Sequence, residues 1–225
     1  MLDGFGLDGH LLERCKYHSG PENENPEFVI HWMRSAIRLQ ESPTFDVARV
    51  AARSMDLPLL IYHGIDERYP YASYRHHRFL LEGAADVADH AEGLGIDHLV
   101  HVSREGNRGP FLKQMAREAA LVVTDMADLS PWDEWTLAVS SECQLIEVDS
   151  HCILPRPVFG KSKDRPFRFR NSTGEAMKER VSNIWPSLEF RPKRVRDGWS
   201  PPFEPVDARL ELRLDGGARL LSQCR

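Results

Sequence analysis

Three groups of side chains in this 225-residue chain have the types and placement that chemistry needs. The first is a set of acids, Asp66, Asp125 and Asp149, each at or just past the end of a short apolar run. An acid there can hold a ribose hydroxyl or a metal ion. It can also accept backbone N–H groups of the turn that follows, which is the commoner role. The second group is Arg38, Arg75 and His76. Arginine forks and helix N-termini suit an anionic or polar heteroaromatic ligand; the alternative is surface pairing of Arg75 and His76 with Glu82 or Asp66. The third group is the ten histidines. No helical His-x-x-x-His pair and no H-E-x-x-H occur, and His98 and His101, three apart in a strand, face opposite sides. Core or surface histidines are expected rather than metal ligands.

Other motifs are absent or misplaced. Gly4-Phe5-Gly6-Leu7-Asp8-Gly9 spells a dinucleotide fingerprint, but no strand precedes it to aim backbone N–H groups at a pyrophosphate. There is no Gly-x-Ser-x-Gly elbow, and Gly106-Asn107-Arg108-Gly109 lacks the Lys-Ser/Thr ending of a phosphate loop. Trp132 and Trp135, spaced i, i+3, are expected on one apolar helix face in the core.

The elements that must carry these groups alternate. Phe28 to Arg34, Leu59 to Ile65, Asp97 to Ser103, Ala120 to Asp125 and Gln144 to Asp149 are short apolar runs of the kind that form strands buried on both faces. Helix-length segments separate them. Ser42-Pro43 and Ser130-Pro131 read as helix starts, and a long helix runs from Ser73 or Tyr74 through Glu92, with Phe79, Leu80, Ala84, Val87, Ala88 and Ala91 as its apolar positions. This order predicts a Rossmann-like, doubly wound α/β fold with a five-stranded parallel sheet and flanking helices, plus an irregular C-terminal linker. Ligands of such sheets sit outside the carboxyl ends of the strands, near the switch in strand order, so Trp32 to Arg38 is the first place to look. Outside this body, Leu7 to Tyr17 reads as a short helix, Ser19 to Glu27 as loop and Thr173 to Ile184 as a helix. Arg209 to Leu221 has apolar residues without an evident partner.

Composition is that of a globular chain, 41% hydrophobic and 28% charged. No apolar run is long enough for a membrane helix, and the N-terminus lacks a basic and apolar leader. Cys15, Cys143, Cys152 and Cys224 show no metal spacing, so reduced thiols and a cytoplasmic location are expected. Net charge is −5 but uneven: twelve Lys/Arg from Arg156 to Arg196 face four acids, leaving that stretch at +8 and the remainder at −13. Such a basic segment can meet phosphate or a partner, or simply be a solvated connection.

Five stretches in order resemble the N-terminal α/β domain of the DNA photolyase/cryptochrome family, nearest to class II cyclobutane pyrimidine dimer photolyases. Val29-Ile30-His31-Trp32-Met33 followed by Arg38 is similar to the family's first strand. Leu57-Pro58-Leu59 opens the second. Arg75-His76-x-x-Phe79-Leu80-Leu81-Glu82-Gly83 is similar to the family's R-H-x-x-F-[ML]-x-E-G helix and is the most specific piece. Val123-Thr124-Asp125 matches V-T-D, and Val148-Asp149-Ser150-His151-Cys152-Ile153-Leu154-Pro155 resembles V-D-[AG]-H-N-[IV]-[VL]-P. Ser35-Ala36 stands where class II members carry Arg-Asp, and Cys152 stands for the Asn of the last motif.

The resemblance covers about residues 27–190. It implies an N-terminal extension over 1–26, the α/β domain over 27–155, and an irregular basic segment with one helix over 156–190. Residues 191–225 would be a linker that in the family leads to an FAD-binding helical domain, absent here. It further implies an antenna chromophore (a deazaflavin, folate or flavin) in a crevice marked by Met33, Arg34, Arg38, Arg75, His76 and Asp125. FAD, light-driven repair of pyrimidine dimers and DNA contact would belong to the missing domain, so the chain alone is expected to be inactive. The alternative is a stand-alone, non-catalytic module for a flavin-like or nucleotide ligand.

Overall fold

The apolar runs become the middle of one sheet. The computed structural model describes residues 2–66, 69, 71–127, 129–159 and 164–223. A 3-10 turn (Leu2–Phe5) and helix α1 (Gly9–Leu12) lead into strand β1 (Cys15–His18). Then β2 (Phe28–Met33), α2 (Pro43–Ser54), β3 (Leu59–Ile65), α3 (Tyr74–Leu94), β4 (Asp97–Val102), α4 (Phe111–Ala116), β5 (Ala119–Asp125), α5 (Trp132–Ser140) and β6 (Leu145–Val148) alternate. Helices α6 (Arg156–Phe159), α7 (Pro166–Ser182), α8 (Ala208–Asp215) and α9 (Ala218–Ser222) follow.

The sheet order is β1-β6-β5-β2-β3-β4. All pairs among β2 to β6 are parallel, and strand order reverses between β2 and β5. The expected α/β fold is present, with one addition. The expectation of a single short helix over Leu7 to Tyr17 is corrected: only α1 is helical, and β1 runs antiparallel to β6 as a sixth, edge strand. Side-chain charge adds to the backbone pairing and to the packing of Cys15 and Tyr17. Buried Glu147 on β6 accepts from Lys16 Nζ at 3.2 Å and bonds His18 Nε2 at 2.8 Å. A four-residue strand held by side chains from a distant partner leaves little periodic signal.

Residue parity assigns the faces. Val29, Met33, Leu59, Ile61 and Val123 point toward α2, while Phe28, Ile30, Leu60, Tyr62 and Val122 point toward α4 and α5. Helix α2 starts as expected: Ser42 Oγ accepts from Phe45 N–H, and Pro43 fills the first turn. Helix α3 is capped by Ser73, whose Oγ accepts from His76 N–H, and ends at Gly95 in the left-handed conformation (φ 71°). Its buried stripe is Leu81, Ala84, Val87 and Ala91; Phe79, expected in the core, is instead 64% exposed. Gly83 has a packing reason, since a Cβ there would come within 2.7 Å of Ile37 Cγ2 in the loop after β2. Ser130 does not cap α5; its hydroxyl donates to Glu134 Oε1 at 2.8 Å.

The C-terminal stretch folds back on the domain. Val195, Trp199 and Phe203 pack on the α4 side of the sheet beside Phe28 and Tyr62. Val206 N–H donates to Val100 C=O at 2.9 Å, and α8 and α9 bury Ala208, Leu220 and Leu221 against Leu81 and Ala84 of α3. The expected lack of a partner for Arg209 to Leu221 is thereby overturned. The partner surface, α3 and β4, lies about a hundred residues earlier, beyond the reach of local pattern. Much of the charge asymmetry is also settled internally. Arg180 pairs with Glu13, Lys193 with Asp56, Arg194 with Asp97 and Arg196 with Glu27, belting the basic segment to the acidic body.

Candidate functional site

A cavity of about 380 Å³ opens at the carboxyl ends of β2, β3 and β4, on the face shared with α4 and α5. That is the position doubly wound sheets offer to ligands, and the volume is within the small-molecule range. Trp32, Tyr62 and His101, one from each strand, contribute to its lining. Each belongs to its strand's α4-facing set, so strand parity alone directs it there. Gly64 keeps the rim open, for a Cβ would meet Tyr62 Oη at 3.0 Å. The first turns of α3 supply His76, His77, Phe79 and Leu80, the start of α4 supplies Phe111 and Leu112, and α5 supplies Trp132, Trp135 and Val139.

Tyr62 and His101 are fixed by a chain of hydrogen bonds. His101 Nε2 lies 3.0 Å from the Asn107 carbonyl, which can only accept, so Nε2 carries the hydrogen. In the neutral ring Nδ1 then accepts from the Tyr62 hydroxyl at 3.0 Å. Asn107 in turn donates to the Val102 and Glu204 carbonyls and accepts from Glu204 N–H. The Gly106–Gly109 loop therefore serves as an anchor for His101 and for the returning C-terminal stretch.

Aromatic rings form the mouth. Tyr69 lies against His76 (centroids 5.4 Å apart), Trp132 (6.0 Å) and Trp135 (6.5 Å). The core placement expected for Trp132 and Trp135 is met only in part: Trp135 packs against the α4-side core, yet both residues are only partly buried and line the cavity. Their i, i+3 spacing shows a shared helix face but not whether that face meets protein or an open space. Burial holds the His76 imidazole below its ordinary range, so it is a neutral ring near pH 7.

The residues expected around a crevice are divided by the structure. Arg34 and His76 line the cavity. Arg34 is 9% exposed and donates to the Asp125 and Trp132 carbonyls and to Thr136 Oγ1. Its guanidinium carbon lies 4.4 Å from the Trp32 ring centroid and 5.8 Å from that of Trp132. Burial brings it down to about 10, with the Asp125 charge opposing.

The other four expected residues lie off the cavity lining. Met33 is fully buried on the α2 side. Arg38 is exposed and donates to the Glu41 and Ser150 carbonyls at 3.3 and 3.2 Å, at a separate crevice that also includes Trp185. Arg75 is exposed on the first turn of α3.

Asp125 is fully buried and works as a loop lock: Oδ2 accepts from Ser35 and Ala36 N–H at 3.0 Å each, and Oδ1 accepts from Thr44 Oγ1 at 2.7 Å. Burial alone would raise its carboxyl, but the Ala36 N–H, His31, Thr44 and the Ser35 N–H outweigh it and hold the carboxyl below its ordinary value. Asp149 does the same for its own turn, accepting from His151, Cys152 and Arg156 N–H at 2.8–3.1 Å. The turn-capping reading of both acids thus agrees with their bonds.

Among the described residues no group of three His, Cys, Asp or Glu could hold a metal ion, and no helix is long and apolar enough to cross a membrane. Tyr62, Tyr69 and Phe111 went unread in the sequence. The signal available was parity: Trp32 and Tyr62 occupy matching register positions on adjacent parallel strands.

Comparison with known proteins gives one family. The DNA photolyase profile matches residues 29–189. A deoxyribodipyrimidine photo-lyase of Methanothermobacter thermautotrophicus is 32% identical over 146 residues, covering 64% of this chain and 32% of the relative. A deoxyribodipyrimidine photo-lyase of Potorous tridactylus is 26% identical over 136 residues, covering 59% and 25%. The matched stretch thus spans about a third or less of either relative's length.

Proposed function

Because this chain belongs to the DNA photolyase family, we propose that it is the N-terminal, antenna-binding α/β portion of a deoxyribodipyrimidine photolyase-like protein, nearest to class II. Its own task is to hold a planar heteroaromatic pigment (a deazaflavin, folate or flavin) in the cavity above β2, β3 and β4. The observation that carries this reading is the aromatic lining. Trp32, Tyr62, Tyr69, His76, Trp132 and Trp135 surround a space of small-molecule size with few charges. When bound, such a pigment would collect light; the protein's part is to orient the ring and exclude water from it.

FAD, the splitting of pyrimidine dimers and most DNA contact are assigned to a helical portion corresponding to the unmatched length of the relatives. On this reading the present chain does not repair DNA alone. Its basic segment, with Arg180, Lys193, Arg194 and Arg196 engaged by acids of the body, contributes at most a rim to a phosphate surface. A cytoplasmic location accompanies the same reading.

Thermal unfolding and tryptophan quenching with riboflavin, 5-deazariboflavin and methenyltetrahydrofolate test the proposal. At about 100 times Kd a specific ligand adds about 2.7 kcal/mol, which raises Tm, and a ring among Trp32, Trp132 and Trp135 quenches their emission. Absence of both effects with all three ligands overturns it. Dimer repair in light by the purified chain alone would overturn its non-catalytic assignment.

A further inference from the structure

We infer that Asn107 is a positioning residue for the cavity, and that through it the filling of the cavity and the docking of the returning stretch from Trp199 to Val206 become one linked equilibrium. This rests on the reading of the cavity as a ligand site and concerns how that site is controlled. Among the described residues, none of the returning stretch lines the cavity. The stretch reaches it through Tyr62, His101 and Phe111, which do line it and which Phe203 touches.

Asn107 is 4% exposed and holds both sides. Toward the cavity, its backbone carbonyl accepts from His101 Nε2 at 3.0 Å, which leaves His101 Nδ1 to accept from the Tyr62 hydroxyl at 3.0 Å. Toward the returning stretch, its side chain makes two bonds with the backbone of one residue. Nδ2 donates to the Glu204 carbonyl and Oδ1 accepts from Glu204 N–H, each at 3.1 Å. Nδ2 also donates to the Val102 carbonyl at 3.3 Å, which ties the loop to the end of β4. Arg104, at the start of the same loop, pairs with the Glu204 carboxylate at 2.6 Å. One residue earlier, Phe203 backs the cavity wall, 4.9 Å from His101 and 5.6 Å from Phe111 between centroids.

If the stretch lifts away, Asn107 loses both bonds to Glu204, Arg104 loses its acid, and Phe203 leaves the rings of His101 and Phe111. The loop then lacks its outer anchor, and the carbonyl that orients His101 and Tyr62 is no longer fixed. A loop that merely fastened the stretch would bond Glu204 without also orienting two lining side chains. The wall is complete in the docked state, so a ligand that leans on it binds that state better and shifts the population toward it. By reciprocity, docking raises the affinity of the ligand by the same factor.

Amide hydrogen exchange on the intact chain, with and without riboflavin at about 100 times Kd, tests the linkage. The amides of Glu204 and Val206, which donate to Asn107 Oδ1 and to the Val100 carbonyl, should exchange at least about tenfold more slowly with ligand. Amides of β1, on the far edge of the sheet, should change by less than about twofold. This measure needs no variant. In Asn107→Ala, riboflavin should bind at least about fivefold more weakly and no longer slow the Val206 amide. Arg104→Ala, which frees Glu204 from outside the cavity, should weaken riboflavin in the same direction. Bound riboflavin with unchanged Glu204 and Val206 amides, equal slowing in β1, or unaltered affinity in both variants overturns the linkage while leaving the ligand site standing. Failure of riboflavin to bind the unaltered chain overturns the flavin reading of the site and this inference with it.

Discussion

His63 and His98 face each other across β3 and β4 with ring centroids 6.3 Å apart, His63 fully buried and His98 partly so. His31 lies on β2 on the same side of the sheet, and neither ring nitrogen of His31 or His63 has a hydrogen-bond partner among the described residues. Phe45 and Thr44 of α2 and Asp125 of β5 border this row, and Arg209 of α8 acts on His98. Burial brings His31 and His63 to about 4 and His98 to about 3.

An acid-labile fold follows. In the unfolded chain these rings return to about 6.5, so below that pH the unfolded state binds more protons than the native one. Stability is therefore complete above about pH 6.5 and is lost as pH falls toward the native values near 4, by an amount on the order of several kcal/mol. Urea midpoints should be level between about pH 8 and 7 and drop steeply below 6. His63→Leu should flatten that drop. A midpoint that does not move down to about pH 4.5 would contradict the account.

Removing the Asp125 lock should destabilise the whole switch region. Asp125→Ala leaves the N–H groups of Ser35 and Ala36 and the Thr44 hydroxyl without their acceptor. The expected cost is about 3 kcal/mol or more, since each stranded buried donor costs about 1–3 kcal/mol. Denaturant unfolding at neutral pH measures it, and a loss below about 1 kcal/mol would show that the loop is held by something else.

The C-terminal stretch should behave as core. Phe203 is 8% exposed and lies 4.9 Å from His101, 5.6 Å from Phe111 and 5.8 Å from Tyr62, centroid to centroid. Phe203→Ala should cost about 3–5 kcal/mol, as for other buried aromatic truncations. It should also weaken ligand binding by loosening Tyr62 and His101. A solvated linker residue would show neither effect, so the urea midpoint of this variant decides between the two.

Trp132→Ala and Trp135→Ala should separate binding from stability. Both rings are partly exposed, so unfolding should shift by about 1 kcal/mol or less. Riboflavin affinity should fall by about threefold to tenfold for each, the equivalent of a lost aromatic pair. Unchanged affinity in both variants would remove these rings from the ligand contact.

Much of the fold was legible because its signals are local. Leu59 to Ile65 is a strand in the structure with those same bounds. Ser42-Pro43 starts α2 and Gly95 ends α3, for capping depends on two or three neighbouring residues. Asp125 and Asp149 accept backbone N–H groups of the turns beside them, as their type suggests. The site was legible only in part. Trp32 to Arg38 pointed to the right end of the sheet, and Arg34 and His76 reach the cavity, whereas Met33, Arg38 and Arg75 point elsewhere. Strand parity turns Met33 to the α2 side, Arg75 sits exposed on the first turn of α3, and Arg38, in the loop after β2, follows what that loop lies against, the Glu41 and Ser150 carbonyls.

The sequence by itself determined the alternation of strands and helices and the parallel sheet, because apolar period and capping chemistry are written in adjacent residues, and its ordered motifs carried the resemblance to the family. Tertiary structure decided the rest. It paired β1 with β6, docked residues 195–221 on surfaces about a hundred positions away, paired Arg180, Lys193, Arg194 and Arg196 of the basic segment with acids of the body, and opened a cavity between α5 and the sheet edge. Each outcome depends on which distant surfaces meet. Trp132 and Trp135 have the pattern of a core face, and only the gap left between α5, α4 and the first turn of α3 makes them the walls of a site.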